Sequence, residues 1–219
     1  MLKSLIFDFN GTMFFDGQIQ KASWRAFLAA EFGCSLTDAD FSEHVSGRNN
    51  RHTFTYFAGH DFDDHTLAEL AEREEQRYRA ACLAHPAAFH LVAGLPELLT
   101  RCQRAGLQVN IATVSEATNV DFFFEHLQLA RWFDRDKVVL NDGQLPGKPA
   151  PAMFLQAMHQ INAVPATSAI FEDSASGIAA ANRAHAGQVI LVEDPQLAPM
   201  AMPAELRIDA TIHDYYQFE

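Results

Sequence analysis

Short runs of bulky apolar residues open this chain and recur in its second half, with a long stretch of helical rhythm between them. Leu5-Ile6-Phe7 is followed directly by Asp8, and Asn10-Gly11-Thr12 then reads as a turn. That order predicts a buried strand ending in an acid and a glycine turn, as at the C-terminal edge of an open α/β sheet, where sites form. A surface hairpin is the alternative reading. From residue 18 to 87 the texture changes. Ala22, Ala26, Phe27 and Ala30 recur at helical spacing around Trp24, and residues 64–84 hold a polar-apolar pattern with no Gly or Pro to break it. Gly33, Gly47, Gly59 and Pro86 punctuate three or four predicted helices with almost no strand.

After Gly94 helix and strand alternate. Helices are predicted over 95–105, 119–129, 150–161 and 176–186; strands over 107–112, 137–140, 168–171 and 188–192, with one edge strand near 206–210. This alternation implies an α/β fold with a doubly wound, mostly parallel sheet. The first strand lacks a partner until residue 107, so residues 16–87 are expected to form a small inserted helical cap. Residues 1–15 and 88–219 then make the α/β core.

Composition narrows the function. In 219 residues there are 28 acidic and 16 basic side chains, for a formal net charge of −12. Broad nucleic-acid binding needs spread Lys and Arg, and the lysines here are only Lys3, Lys21, Lys137 and Lys148. Cys34, Cys82 and Cys102 are too far apart for a zinc knuckle or redox pair and read as buried or partly buried thiols. The apolar start is too short for a signal sequence before Asp8, and no run approaches the ~20 residues that cross a bilayer. A cytoplasmic protein with no membrane or nucleic-acid partner, monomeric by default, is expected. The histidines show no HxxxH or HExxH spacing, and neither GxGxxG nor GxxxxGK occurs.

Asp8, Ser115, Lys148 and Glu172-Asp173 should converge on one edge of a parallel sheet. Clustered carboxylates suit Mg²⁺, a hard cation that prefers oxygen. A hydroxyl and an ammonium suit the remaining oxygens of a phosphoryl group, and a carboxylate can attack phosphorus. For Asp173 the plainer alternative is a helix N-cap.

The stretches DFNGT (8–12), IATVS (111–115), GKPAP (147–151) and FEDSASGIAAA (171–181) resemble, in order, the four motifs of the haloacid dehalogenase superfamily. With the helical cap, they are most similar to its beta-phosphoglucomutase-like phosphatase branch. The resemblance implies a Mg²⁺-dependent phosphatase acting on a small phosphorylated metabolite through an aspartyl-phosphate on Asp8. It also implies a metal held by Asp8, the carbonyl of Asn10 and Asp173, with Glu172 at or beside it. Ser115 would bind phosphate, Lys148 would neutralise phosphate and nucleophile, Thr12 would hold the loop, and Asn119 is a further candidate near the phosphate.

Position 10 departs from the family pattern, which has Asp two residues after the nucleophile as general acid and base. Asn10 cannot transfer a proton at pH 7. The expectation is therefore a slow or specialised phosphatase, one rescued by another acid such as Asp16, or a weakened protein that binds phosphorylated ligands. Gln20 stands where mutases of the branch have a cap histidine, which argues against a mutase. The lysine, acid pair and glycine turn argue against a dehalogenase. In the stretch Gly47-Arg48-Asn49-Asn50-Arg51, Arg48 and Arg51 are candidates to reach the substrate.

Overall fold

Ser4–Phe7, all buried, form the first strand (β1) of the computed structural model, which describes residues 1–45, 48, 50–198 and 200–218. The others are β2 (Gln108–Ile111), β3 (Ser168–Glu172), β4 (Gln188–Val192) and β5 (Ala210–Ile212). They make a sheet of order β2-β1-β3-β4-β5 in which every pairing is parallel. Parallel strands with both faces covered are buried along their length, as β1 and β3 are, with Leu5-Ile6-Phe7 and Ala169-Ile170-Phe171 as their apolar runs. Phe7 pairs with Ile111 on one side and Phe171 on the other, so β1 and its two neighbours end level.

Alternate residues of β1 serve different faces. Ile6, with Ile170, Val189 and Leu191, packs under helices α7 (Ala152–Gln160) and α8 (Ala175–Arg183) through residues such as Phe154, Met158 and Ile178. Phe7 points the other way and stacks on Phe171 at 4.8 Å, beside Phe133 and Tyr215. Helices α5 (Leu95–Ala105) and α6 (Ala117–His126) complete this unit. The fold class expected from the sequence, α/β with a parallel sheet, is the one observed.

Two local expectations change. Residues 137–140 form no strand: a 3₁₀ turn, Arg135–Lys137, is capped by the Asp134 side chain, leaving a single bridge between Val139 and Ala112. The edge strand begins at Ala210, where the prediction ended. Asp209 accepts from the Val189 amide with its side chain and donates its own amide back, both at 2.8 Å, so the ladder starts one residue later.

The chain divides into two compact units, Met1–Phe15 with His90–Glu219, and Asp16–Phe89. The second is helical: α1 (Gly17–Phe32), α2 (Asp38–Asp40), a π-turn (Phe41–Val45), α3 (Asn50–Ala58) and α4 (Asp64–Ala84). Trp24, Phe27 and Leu28 of α1 form its core with Leu36, Val45, Phe54 and Leu70. The alanines picked out by periodicity, Ala22, Ala26 and Ala30, face solvent instead. Gly33 ends α1 in a left-handed conformation (φ 65°), and Thr37 and Asp40 form a reciprocal capping box on α2. Glu74 and Tyr78 of α4 are buried, Glu74 against the Ser23 hydroxyl and Tyr78 donating to Asp16 at 2.6 Å. Among the described residues no helix is long and apolar enough to cross a membrane.

Candidate active site

Because β1 and β3 end level, the residues that follow them meet. The Asp8 amide donates to the Phe171 carbonyl at 2.9 Å, which continues the strand pairing by one step and turns Asp8 toward Glu172 and Asp173. Gly11 (φ 73°) then folds the chain back, with its amide donating to the Phe14 carbonyl. A Cβ on Gly11 would overlap the Asp173 carboxylate, and one on Gly177 would overlap that of Glu172. Glycine is needed at both positions, so these acids are held tightly against backbone.

Each of Asp8, Glu172 and Asp173 offers an oxygen within 4.8 Å of the others. Lys148 reaches between them, bonded to Asp8 Oδ1 and, at 2.8 Å, to Glu172 Oε2. The three side chains are 6%, 8% and 1% exposed, so this contact is shielded from solvent screening. The ammonium also lies 4.9 Å from the centre of the Phe154 ring. Burial alone would lower its pKa, but the two carboxylates outweigh burial and push it up. Burial raises Glu172 in turn; Lys148 and then the Ser174 hydrogen bonds overcome that and hold it below the usual value.

Glu172 has both oxygens engaged. Oε2 takes Lys148, while Oε1 accepts from the Asp173 and Ser174 amides at 3.1 Å and the Ser174 hydroxyl at 2.9 Å. Asp173 is less fully compensated, with Lys148 acting on it only through charge. Burial first, then the charges of Glu172 and Asp8, push its pKa well above the ordinary carboxylate range. Thr12 Oγ1 donates to its Oδ1 at 3.2 Å. Three carboxylates against one ammonium leave two negative charges in excess when all are ionised, and every donor is oxygen. This set fits a hard divalent cation, which would relieve the repulsion that now falls on Asp173.

The remaining candidates divide by unit. Asp8, Lys148, Glu172, Asp173 and Thr12 form one linked cluster, and Ser115, in the loop after β2, donates to Asn10 Oδ1 at 2.8 Å. Asn119 is buried in the first turn of α6. Arg48 and Arg51 belong to the helical unit. Arg51 is committed there, to Asp61 at 2.7 Å, Asp64 at 2.5 Å and the Phe62 carbonyl at 2.9 Å, and Arg48 Nε donates to the Glu43 carbonyl. Gly47 and Asn49 lie outside the described residues. Asp16, considered as a substitute acid, accepts from Tyr78 and from Gln20.

The structure corrects the function expected from the sequence, namely a phosphomonoester hydrolase defined by an acid/base lost at Asn10, or a weakened relative that only binds ligands. The cluster that the fold assembles is acidic, Asp8, Glu172 and Asp173, and the Asn10 side chain adds no carboxylate to it. Its neutral side chain is turned to Ser115, where it accepts a hydrogen bond. Thr12 was expected to hold the loop, whereas the part that Ser174 plays in fixing Glu172 carried no signal in the sequence.

A family model for haloacid dehalogenase-like hydrolases matches residues 5–192. The chain belongs to this family. Protein CbbY of Rhodobacter capsulatus is 26% identical to it over 193 residues, 84% of this chain and 82% of that protein. The validoxylamine A 7'-phosphate phosphatase of Streptomyces hygroscopicus is 27% identical over 187 residues, 84% and 83% of the two chains. A crystal structure of a family IA, variant 3 hydrolase from Entamoeba histolytica superposes with a TM-score of 0.86 at 27% identity, covering 100% of this chain and 96% of the other. Relatives named as beta-phosphoglucomutases and as phosphatases both match, so the branch is not distinguished within the family.

Proposed function

We propose that this member of the family is a Mg²⁺-dependent phosphatase acting on a small phosphorylated metabolite. The observation that carries the reading is the convergence of Asp8, Glu172 and Asp173 around Lys148 at the ends of β1 and β3. Asp8 and Asp173 would hold the cation, together with the Asn10 carbonyl. When bound, the cation would neutralise phosphoryl oxygens and draw the anionic substrate into an otherwise negative pocket. Lys148, kept charged by its two carboxylate partners, would bind a further phosphoryl oxygen and fix the Asp8 carboxylate for attack on phosphorus. The Ser115 hydroxyl, now donating to Asn10, would turn to the phosphate, and Asn119 is assigned beside it. Glu172 would serve mainly to hold Lys148, since both of its oxygens are engaged. Matching relatives are named as phosphatases of phosphorylated small molecules, which supports the substrate class.

Phosphate release from a panel of phosphorylated metabolites, with Mg²⁺ and with a chelator, tests this. Release should require the cation and should be abolished in Asp8→Asn. Turnover that survives chelation, or persists in that variant, would overturn the proposal.

A further inference from the structure

The residues beyond 192 lie outside the span that matches the family, yet they return to the site. The Asp214 side chain accepts from the Tyr216 and Gln217 amides and starts a 3₁₀ turn, Tyr215–Gln217. The Tyr215 amide donates to the Ala93 carbonyl at 2.8 Å, and the chain crosses Gly94 so closely that a Cβ there would overlap the Tyr216 backbone. The Tyr215 ring is fully buried, tilted against Phe7 at 6.0 Å and Phe171 at 5.4 Å. Its hydroxyl donates to the Thr12 carbonyl at 3.1 Å. Thr12, also fully buried, is the residue whose hydroxyl donates to Asp173.

We infer that Tyr215 is a positioning residue for the cation site, pinning Thr12 so that its hydroxyl fixes the Asp173 carboxylate. The inference rests on the reading of Asp173 as a cation ligand. Thr12 follows Gly11, whose left-handed conformation provides the turn but no side chain to hold it. Carbonyl and hydroxyl belong to one residue, so anchoring the first limits where the second can point. The anchor itself is rigid, because the buried ring packs against the stacked Phe7 and Phe171 and its backbone is tied to Ala93. Burial, then the charges of Asp8 and Asp173, push the Tyr215 hydroxyl well above its ordinary pKa, so it remains a donor. Groups that orient metal ligands from outside the coordination sphere commonly change affinity by ~10–100-fold when removed. One step further out, a smaller effect is expected.

Mn²⁺ titration of the full-length protein, followed by electron paramagnetic resonance, reads affinity without turnover. Tyr215→Phe should weaken binding by roughly 3–10-fold, and Thr12→Val by at least as much. The double variant should be no weaker than Thr12→Val alone, because the tyrosine acts through that hydroxyl. Tyr216→Phe, altering an exposed neighbour, should bind as wild type. Unchanged affinity in Tyr215→Phe, or independent losses that multiply in the double variant, would overturn the inference. Thr12→Val carries the test if Tyr215→Phe fails to fold: wild-type affinity there breaks the relay at its second link. A wild type that binds no Mn²⁺, or an Asp173→Asn variant that binds it equally well, removes the cation reading and this inference together. Loss in Asp173→Asn with no change in Tyr215→Phe removes the inference alone.

Discussion

Glu172 shows how much one buried side chain can organise. Its carboxylate is 1% exposed, faces a lysine with one oxygen and the start of α8 with the other, and sits against a residue that must be glycine. Removing one partner of a buried ion pair leaves an uncompensated charge and costs about 3–5 kcal/mol. Glu172→Ala should fall at the lower end of that range, since Lys148 keeps Asp8, and urea unfolding is the direct measurement. A loss below about 1 kcal/mol would mean that water replaces the carboxylate. The meeting of Asp8, Lys148, Glu172 and Asp173 was legible in the sequence because each follows an apolar run or occupies a compact turn motif. The hydrogen bonds among them were not. Whether Ser115 meets Asn10, or Thr12 meets Asp173, depends on rotamers that no spacing encodes. Arg48 and Arg51 were candidates for the substrate because their stretch is similar to a phosphate-binding loop of the branch, while the Arg51 partners Asp61 and Asp64 lie beyond α3 and are not marked by that motif.

Among the elements, α4 carries an unusual burden. Leu70, Glu74, Tyr78 and Cys82 recur every four residues and are all buried, so an acid sits on an apolar stripe. Burial, then repulsion from Glu75, pushes Glu74 up to about 8, against 4.5 for an ordinary glutamate. The folded chain therefore keeps this proton over a range in which the unfolded chain loses it. Below about pH 4.5 the acid costs nothing; between there and about pH 8 stability should fall as pH rises, and above about pH 8 the loss should level off. Glu74→Gln should remove this slope and stabilise the protein at pH 9 by on the order of 3–5 kcal/mol. Urea midpoints of both proteins between pH 5 and 9 would show it; parallel curves would mean that Glu74 is ionised when folded. No pattern along the chain singles out Glu74, because it lies in a run of charged residues that reads as a solvated face. Similarly, α1 was legible as a helix but not in its orientation. Alanine spacing marked one face, and the larger area of Trp24, Phe27 and Leu28 decided which face is buried.

Over the whole molecule, the parallel sheet and its order of motifs were readable because they follow from alternating elements, while the second unit offered only helices without contacts. The division into units has a direct consequence. The Val92 amide donates to the Met13 carbonyl at 2.9 Å, so the chain leaves and re-enters the α/β unit at nearly one point. Replacing residues 16–89 with a short glycine-rich linker should therefore leave a folded unit with a cooperative thermal transition by circular dichroism. A non-cooperative melt would place the boundary elsewhere.

The position of β1 also sets a timetable for synthesis. It leaves the ribosome before β2 and β3, yet it lies between them in the sheet, and its paired residues there are about 100 and 160 positions later. At ~5–20 residues per second, Leu5-Ile6-Phe7 must wait roughly 8–30 seconds before both of its edges can be covered. During that time the nascent chain presents an apolar segment with two open edges, the form that chaperones bind and that neighbouring chains can capture. Asp8, a member of the acidic cluster, is attached to the end of that segment. Among the strands of this sheet β1 is made before the others yet enclosed late, and no translation product that stops before β3 can contain the acidic cluster.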